Sequence, residues 1–405
     1  MTGTPVLSAR TVTLSLAASH AGKVCIAAVI NVLPILLPRM GGDLVPGGLS
    51  NEEIGRIGGA VFAGLVLGVV VTGPLADRLG VRPVATCGSL AMALGLVLLG
   101  GAHAAPAATM AAVIMGLGAG MMDLVICPLV AVVQPARRAS ALNRLEANYC
   151  LGSIAVILLV SGWIQAGGGW RQAVFVLALL PLILVPLFAL NPWPALIQAD
   201  RRMGLGQLVR SGWLLLSLGI IALSGAVEVG ICVWLPTFTQ RVVEGSALTG
   251  GATLVGFLAC MALGRHLAAN HSERFTAPQM LGWSAAVTGI LILATVLLSM
   301  SWTALTLLVL TGLPIGCLWP TVLAMNGDRF PHGGATLFSL LVAFGNGGGF
   351  LMPWCIGLMA DGGSFAWGLA GLAMCPALLL VLLGLQRSRR YEAAGKAPTI
   401  PESTC

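Results

Sequence analysis

The sequence predicts an all-α membrane protein with twelve transmembrane helices in two pseudo-symmetric six-helix halves. Of its 405 residues, 57% are hydrophobic and only 9% are charged, whereas soluble domains carry about 25% charged residues. Apolar stretches of roughly 20 residues, the length that crosses a bilayer, recur along the whole chain. The longest polar break lies near the middle. A soluble enzyme, a soluble binding module and a disordered chain are therefore excluded.

The apolar stretches define the domain organisation. Their limits are about 12–38, 52–73, 85–102, 107–133, 142–165, 172–191, 211–238, 249–268, 280–300, 303–326, 335–358 and 365–386. The break after the sixth predicts an N-terminal half at 1–191, a cytoplasmic linker at 192–210, a C-terminal half at 211–386 and a cytoplasmic tail at 387–405. The first stretch is too long for a secretory signal, and no small-residue cleavage site follows it.

The basic residues are distributed unequally between the two sides. With a cytoplasmic N-terminus, sixteen of the 21 Lys and Arg residues fall in cytoplasmic segments or at the inner edges of spans, and Arg265 is assigned to the loop after span eight. The positive-inside rule therefore predicts cytoplasmic termini in the cell (inner) membrane. The anionic inner leaflet accounts for the net charge of +7, so we expect no nucleic-acid partner. Ten cysteines without a CxxC pair indicate neither a metal nor a cofactor, and we expect a monomer.

A repeat and a loop pattern identify a family. Residues 139–152 and 334–347, 195 positions apart, each follow basic residues and a proline-containing span. The loop after span two is GPLADRLGVRP, at 73–83. Its matches to the G-x-L-a-D-r-x-G-r-k loop of the major facilitator superfamily are Gly73, Leu75, Asp77, Arg78, Gly80 and Arg82. The whole chain resembles this superfamily, which implies a secondary transporter whose halves rock about a central site.

A narrower resemblance suggests a branch. Segments 116–123, 234–236 and 344–346 resemble the fucose-permease-like branch, whose members are mostly proton-coupled sugar transporters with acidic residues in spans one and four. Span one here offers His20 and Lys23 instead of a carboxylate, which disfavours a neutral sugar. Span five lacks the proline and paired glycines of drug–proton antiporters, which disfavours a drug exporter.

Lys23 and Asp123 are predicted to lie at the same depth. Placing an ionisable side chain in the hydrocarbon core costs about 2.5–3.5 kcal/mol or more of free energy. Such a residue is retained when it is paired, hydrated or required for function. Lys23 lies about 16 Å into span one and Asp123 about 15 Å from the inner end of span four. The resemblance places both spans along the central cavity. We expect a pair that binds substrate or couples protons; a static pair that only neutralises both charges is the alternative.

Span one carries a polar stripe. His20, Lys23 and Asn31 recur on one face of the helix. A polar stripe on an apolar span must face protein or water. We interpret it as cavity lining for the substrate, with packing against another span as the alternative.

Glu228 in span seven is a candidate proton carrier. We expect no basic residue of the second half at its depth, so the carboxyl would be unpaired. Intramembrane carboxyls of this kind occur in proton relays. The alternative is a permanently protonated, hydrogen-bonded carboxyl.

The remaining candidates are weaker. Glu146 and Asn143 lie near the inner end of span five, where they form part of an inner gate or of a loop ion pair. Further groups that could contact substrate are Tyr149, Trp234, Trp319 and Asn346. Core packing or interfacial anchoring is the alternative for each tryptophan, and flexibility of the glycine-rich stretch is the alternative for Asn346. The resemblance also implies a gate formed by Asp77, Arg78 and Arg82, with Asp77 docked near the start of span eleven.

These observations together predict a secondary active transporter. We expect proton symport of a small polar solute, anionic solutes included, by alternating access. An exporter or antiporter of a small metabolite or drug is the alternative. The sequence contains no phosphate loop, HExxH, GxSxG or histidine cluster, so we expect no enzyme. A multispan acyltransferase and a transport-dead receptor are the non-transport alternatives.

Overall fold

The computed structural model describes residues 8–134, 138–194, 205–241, 243–271, 274–298, 302–330 and 333–395. These ranges form helices and no strands. The helices are α1 (Ala9–Leu44), α2 (Asn51–Leu79), α3 (Val81–Gly100), α4 (Ala105–Val133), α5 (Arg138–Gln165), α6 (Trp170–Leu177), α7 (Leu179–Leu190), α8 (Leu205–Val209), α9 (Gly212–Arg241), α10 (Ala247–His271), α11 (Ala277–Leu297), α12 (Trp302–Leu310), α13 (Gly312–Arg329), α14 (Gly334–Gly362) and α15 (Phe365–Gly395). Within the described ranges, twelve spans are long and apolar enough to cross a membrane, which confirms the predicted fold class.

Spans six and ten are each divided into two helices where the sequence predicted one. The breaks follow Leu177 at the end of α6 and Leu310 at the end of α12. Each of these residues lies four positions before a proline, Pro181 and Pro314 respectively. Because proline has no N–H to donate to the carbonyl four residues earlier, the helical ladder is interrupted there. Each span then continues across the membrane as its second helix.

Glycines bring α2 and α4 into direct backbone contact. A Cβ atom added at Gly64 would overlap the carbonyl oxygen of Val113, and one added at Gly116 would overlap that of Val61. The same reciprocal contact recurs about one turn further along both helices. Small residues at such positions are typical of close helix packing in membranes. The two helices are therefore joined along a seam without intervening side chains.

The two halves meet at one end of the bundle. Because the number of spans is even, both chain ends lie at the same end, here called the termini end; the opposite end is called the closed end. There the backbone N–H groups of Asn51 and Glu52 donate to the two carboxylate oxygens of Asp361, over 3.0 and 2.7 Å. The Trp354 indole donates to Glu52 over 2.6 Å, and Arg241 donates to Asn51 over 3.4 Å. These contacts join α2 of the first half to α9 and α14 of the second.

Candidate functional site

The first feature of the site is an ion pair between α1 and α4. Lys23 Nζ lies 2.8 Å from Asp123 Oδ1, so the pairing predicted from depth is present. Lys23 is only 5% exposed, and its ammonium lies 5.7 Å from the centroid of the Tyr149 ring, within cation–π range. A buried ammonium is thus held between a carboxylate and an aromatic face. Its use in binding or coupling stays a prediction.

The polar stripe of α1 faces α5. The Asn31 amide donates to Ser153 Oγ over 3.0 Å and to the Tyr149 hydroxyl over 3.2 Å, and Asn31 is buried. At the other end of the stripe, the Asn148 amide nitrogen lies 2.6 Å from His20 Nδ1, and His20 remains partly exposed. Asn31 therefore packs against a neighbouring span, and the lining of a solute cavity by the stripe stays a prediction.

The second half contains a second ion pair that the sequence analysis missed. Arg265 Nη2 lies 3.5 Å from Glu228 Oε1. Arg265 belongs to α10, which continues to His271. The assignment of Arg265 to a loop was therefore wrong, and so was the expectation that Glu228 is unpaired.

The geometry of the helical hairpin explains this pair. Glu228 lies 13 residues before the end of α9 at Arg241, and Arg265 lies 18 residues after the start of α10 at Ala247. The difference of five residues is about 7.5 Å along the helices. Side chains tilt toward the N-terminus of their own helix, so Arg265 reaches toward the closed end while Glu228 points the opposite way. Counting residues along both helices from the turn between α9 and α10 would have predicted this pair from the sequence.

Three of the four side chains in the two ion pairs are partly exposed. The side chains of Asp123, Arg265 and Glu228 are 31%, 33% and 20% exposed. The halves are in contact at the closed end, and the two pairs lie deeper in the bundle, within the spans. The two charged pairs lie on the helices α1, α4, α9 and α10.

The predicted tryptophans and Asn346 have other partners in this state. Trp234 is 1% exposed, and its indole donates to the Pro353 carbonyl over 2.9 Å, so it anchors the closed end and is not available to a solute. The Trp319 ring packs against the Cα of Gly345. The Asn346 amide donates over 2.8 Å to a carbonyl of its own helix, and the residue is 9% exposed.

Most of the predicted gate falls outside the described structure. The side chains that lie outside it are those of Asp77, Arg78, Asn143 and Glu146. Arg82 Nε donates to the Ala189 carbonyl over 2.6 Å, which links α3 to the end of α7 within the first half. A gating role for these residues stays a prediction.

Comparison with known proteins identifies the family. The model of the Major Facilitator Superfamily matches residues 21–275. The chain belongs to this superfamily. It is accordingly a multi-pass membrane transporter and not an enzyme, as the sequence predicted.

Individual members of the superfamily are distant in sequence. The Cis,cis-muconate transport protein of Acinetobacter baylyi is 24% identical over 339 residues, which cover 79% of this chain and 81% of that protein. The crystal structure of the E. coli fucose:proton symporter FucP is 17% identical with a TM-score of 0.63, over 93% of this chain and 99% of FucP. That of a D-xylose-proton symporter is 14% identical with a TM-score of 0.74, over 92% and 97% of the two chains. At these identities the two solved structures show a shared fold and no shared substrate.

Proposed function

We propose that this transporter imports a small organic anion together with protons, across the cell membrane and with both termini in the cytoplasm. The observation that carries the proposal is the buried pair of Lys23 and Asp123, 2.8 Å apart. Unpaired charges are costly inside a membrane protein. An ammonium that can exchange its carboxylate partner for a carboxylate of the solute is therefore a suitable anion site.

Charge balance couples this site to protons. With Asp123 ionised, the pair is neutral, and an added anion would leave a net negative charge in a poorly hydrated site. When Asp123 takes up a proton, Lys23 is released to pair with the solute, and the site is neutral again. Proton and anion therefore bind more favourably together than either does alone, which is the thermodynamic requirement for symport.

Two comparisons support the proposal. The Acinetobacter baylyi relative is named for the transport of cis,cis-muconate, which is a dicarboxylate. The fucose and D-xylose proteins that share the fold are named as proton symporters.

The Glu228–Arg265 pair supplies a second carboxyl that can take up a proton. Each chain holds both pairs, so we propose that a monomer is the transporting unit.

Alternating access follows from the contacts between the halves. Asp361 on the N-terminus of α2 holds the halves together at the closed end, so we propose that the ion pairs are reached from the termini end. With cytoplasmic termini, this arrangement is the inward-facing state. The outward-facing state would require those contacts to break and the halves to close at the termini end.

Transport by purified protein in liposomes tests the proposal. We expect cis,cis-muconate to accumulate when the exterior is more acidic than the lumen, and a protonophore to abolish the accumulation. The Lys23→Gln/Asp123→Asn variant removes both charges without leaving one unpaired, and it should not accumulate the acid. Arg274→Gln, which removes an exposed charge, is the matched control and should remain active. Accumulation of D-xylose without accumulation of the acid would overturn the proposal.

A further inference from the structure

Each half of the transporter contains one basic residue that is paired with a carboxylate inside the spans. Lys23 comes from α1 in the first half and Arg265 from α10 in the second, and each is paired with one carboxylate of its own half. Neither pair joins the two halves. Two basic groups on two bodies that move relative to each other can be bridged only by something that binds both.

Arg265 retains hydrogen-bonding capacity. Its contact with Glu228 is 3.5 Å, at the outer limit of a hydrogen bond. Its Nε is buried and makes no hydrogen bond in the described structure. A guanidinium offers five N–H donors in a planar fork that matches a carboxylate with two parallel bonds. The second pair is thus a loose contact that a better-placed carboxylate can replace.

Tyr149 connects the surroundings of the two pairs. Its ring lies beneath the Lys23 ammonium at 5.7 Å. Tyr149 lies on α5, which is in contact with α10, the helix that carries Arg265. Helices α1 and α9 are also in contact with each other. We therefore expect the two basic groups to lie near enough for one short solute to contact both.

We infer that Lys23 and Arg265 form a two-point site for a short dicarboxylate, in which each binds one carboxylate; this rests on the proposed function. Protonation of Asp123 and Glu228 would release both basic groups, and a bound dianion would then leave the site neutral. A monocarboxylate can bind only one of the two basic residues and therefore contacts only one half of the transporter. A dicarboxylate joins both halves and stabilises the state that is closed around it, so selectivity for diacids follows from the geometry.

A matched pair of acids tests the inference by calorimetry on purified protein. Trans,trans-muconate and sorbate have the same six-carbon diene, and sorbate lacks one carboxylate. We expect the wild type to bind the diacid at least about tenfold more tightly, because its second carboxylate adds charge-assisted hydrogen bonds to Arg265. In Arg265→Gln/Glu228→Gln, which leaves no unpaired charge, the ratio should fall to about one while sorbate binding is unchanged. Arg274→Gln should keep the wild-type ratio.

Further outcomes separate this inference from the proposed function. If the double variant does not fold, Arg265→Lys carries the test: it keeps the charge but loses the fork, so it should weaken diacid binding and spare sorbate. Equal binding of both acids by the wild type would overturn the two-point site, and so would an unchanged preference for the diacid in the Arg265 variants. Lys23-dependent uptake of anions would stand in either case. Binding of neither acid, together with no transport of either, would overturn both proposals.

Discussion

Replacing Asp361 by asparagine should weaken the contact that holds the halves together at the closed end. The carboxylate accepts one bond from the N–H of Asn51 over 3.0 Å and one from that of Glu52 over 2.7 Å. An amide keeps one acceptor oxygen, so only one of these bonds can remain. The variant also loses the negative charge that faces the positive N-terminal end of α2.

The magnitude follows from these contacts. A hydrogen bond to a charged group contributes about 1.5–3 kcal/mol. Asp361 is solvent-exposed, and screening at exposed sites favours the lower end of that range. A loss of about 1.5 kcal/mol shifts an equilibrium roughly tenfold. The ratio of molecules open at this end to molecules closed there should rise by about that factor.

Distances between spin labels measure this ratio. Labels at Pro46 and Ser364, both exposed at the closed end, report on opposite halves, and the long-distance component should grow in Asp361→Asn. Glu53→Gln is the matched control, because the Glu53 carboxylate accepts from Ser50 within the same half. An unchanged distribution in Asp361→Asn would refute the reasoning, as would an equal change in Glu53→Gln.

Four further substitutions test the charged groups. Lys23→Ala and Asp123→Ala should each destabilise the protein by about 3–5 kcal/mol, because each leaves an unpaired charge. The double variant should regain most of that stability in thermal unfolding but stay inactive in transport. Normal transport by the double variant would show that neither residue belongs to the site. Glu228→Gln should weaken the pH dependence of uptake, because one of the two carboxyls proposed to take up a proton is lost, but preserve exchange of substrate for substrate; an unchanged pH dependence would show that its role is structural. Asp77→Asn should shift label distances at the termini end toward the open state, and an unchanged distribution with intact transport would contradict a gating role.

Depth along a helix was the most useful quantity in the sequence. A rise of about 1.5 Å per residue placed Lys23 and Asp123 at the same level, although 100 residues separate them. The same count could have paired Glu228 with Arg265. That pair was missed because the last turn of a span was taken for loop, and a basic residue near a span end fits the positive-inside rule equally well.

Other features depend on information that local sequence does not hold. The contact of Asp361 with Asn51 joins positions 310 residues apart, and no periodicity indicates which helix ends meet. Trp234 was a plausible stacking group by type, but packing between α9 and α14 places it against Pro353. Such pairings depend on how the halves are arranged in one state of the transport cycle.

The glycine seam between α2 and α4 has a mechanical consequence. Two helices in direct backbone contact cannot slide or separate by small steps, since any displacement brings carbonyl oxygens into collision or opens a void. They therefore move as one rigid body. The N-terminus of α2 is held by Asp361, and α4 carries Asp123. When the closed end opens, α2 and α4 must rotate together, and Asp123 moves with them relative to the charged groups of the other half. The same movement that admits a solute thus changes the position of Asp123 relative to the charged groups of the other half, without any relay of side chains in between.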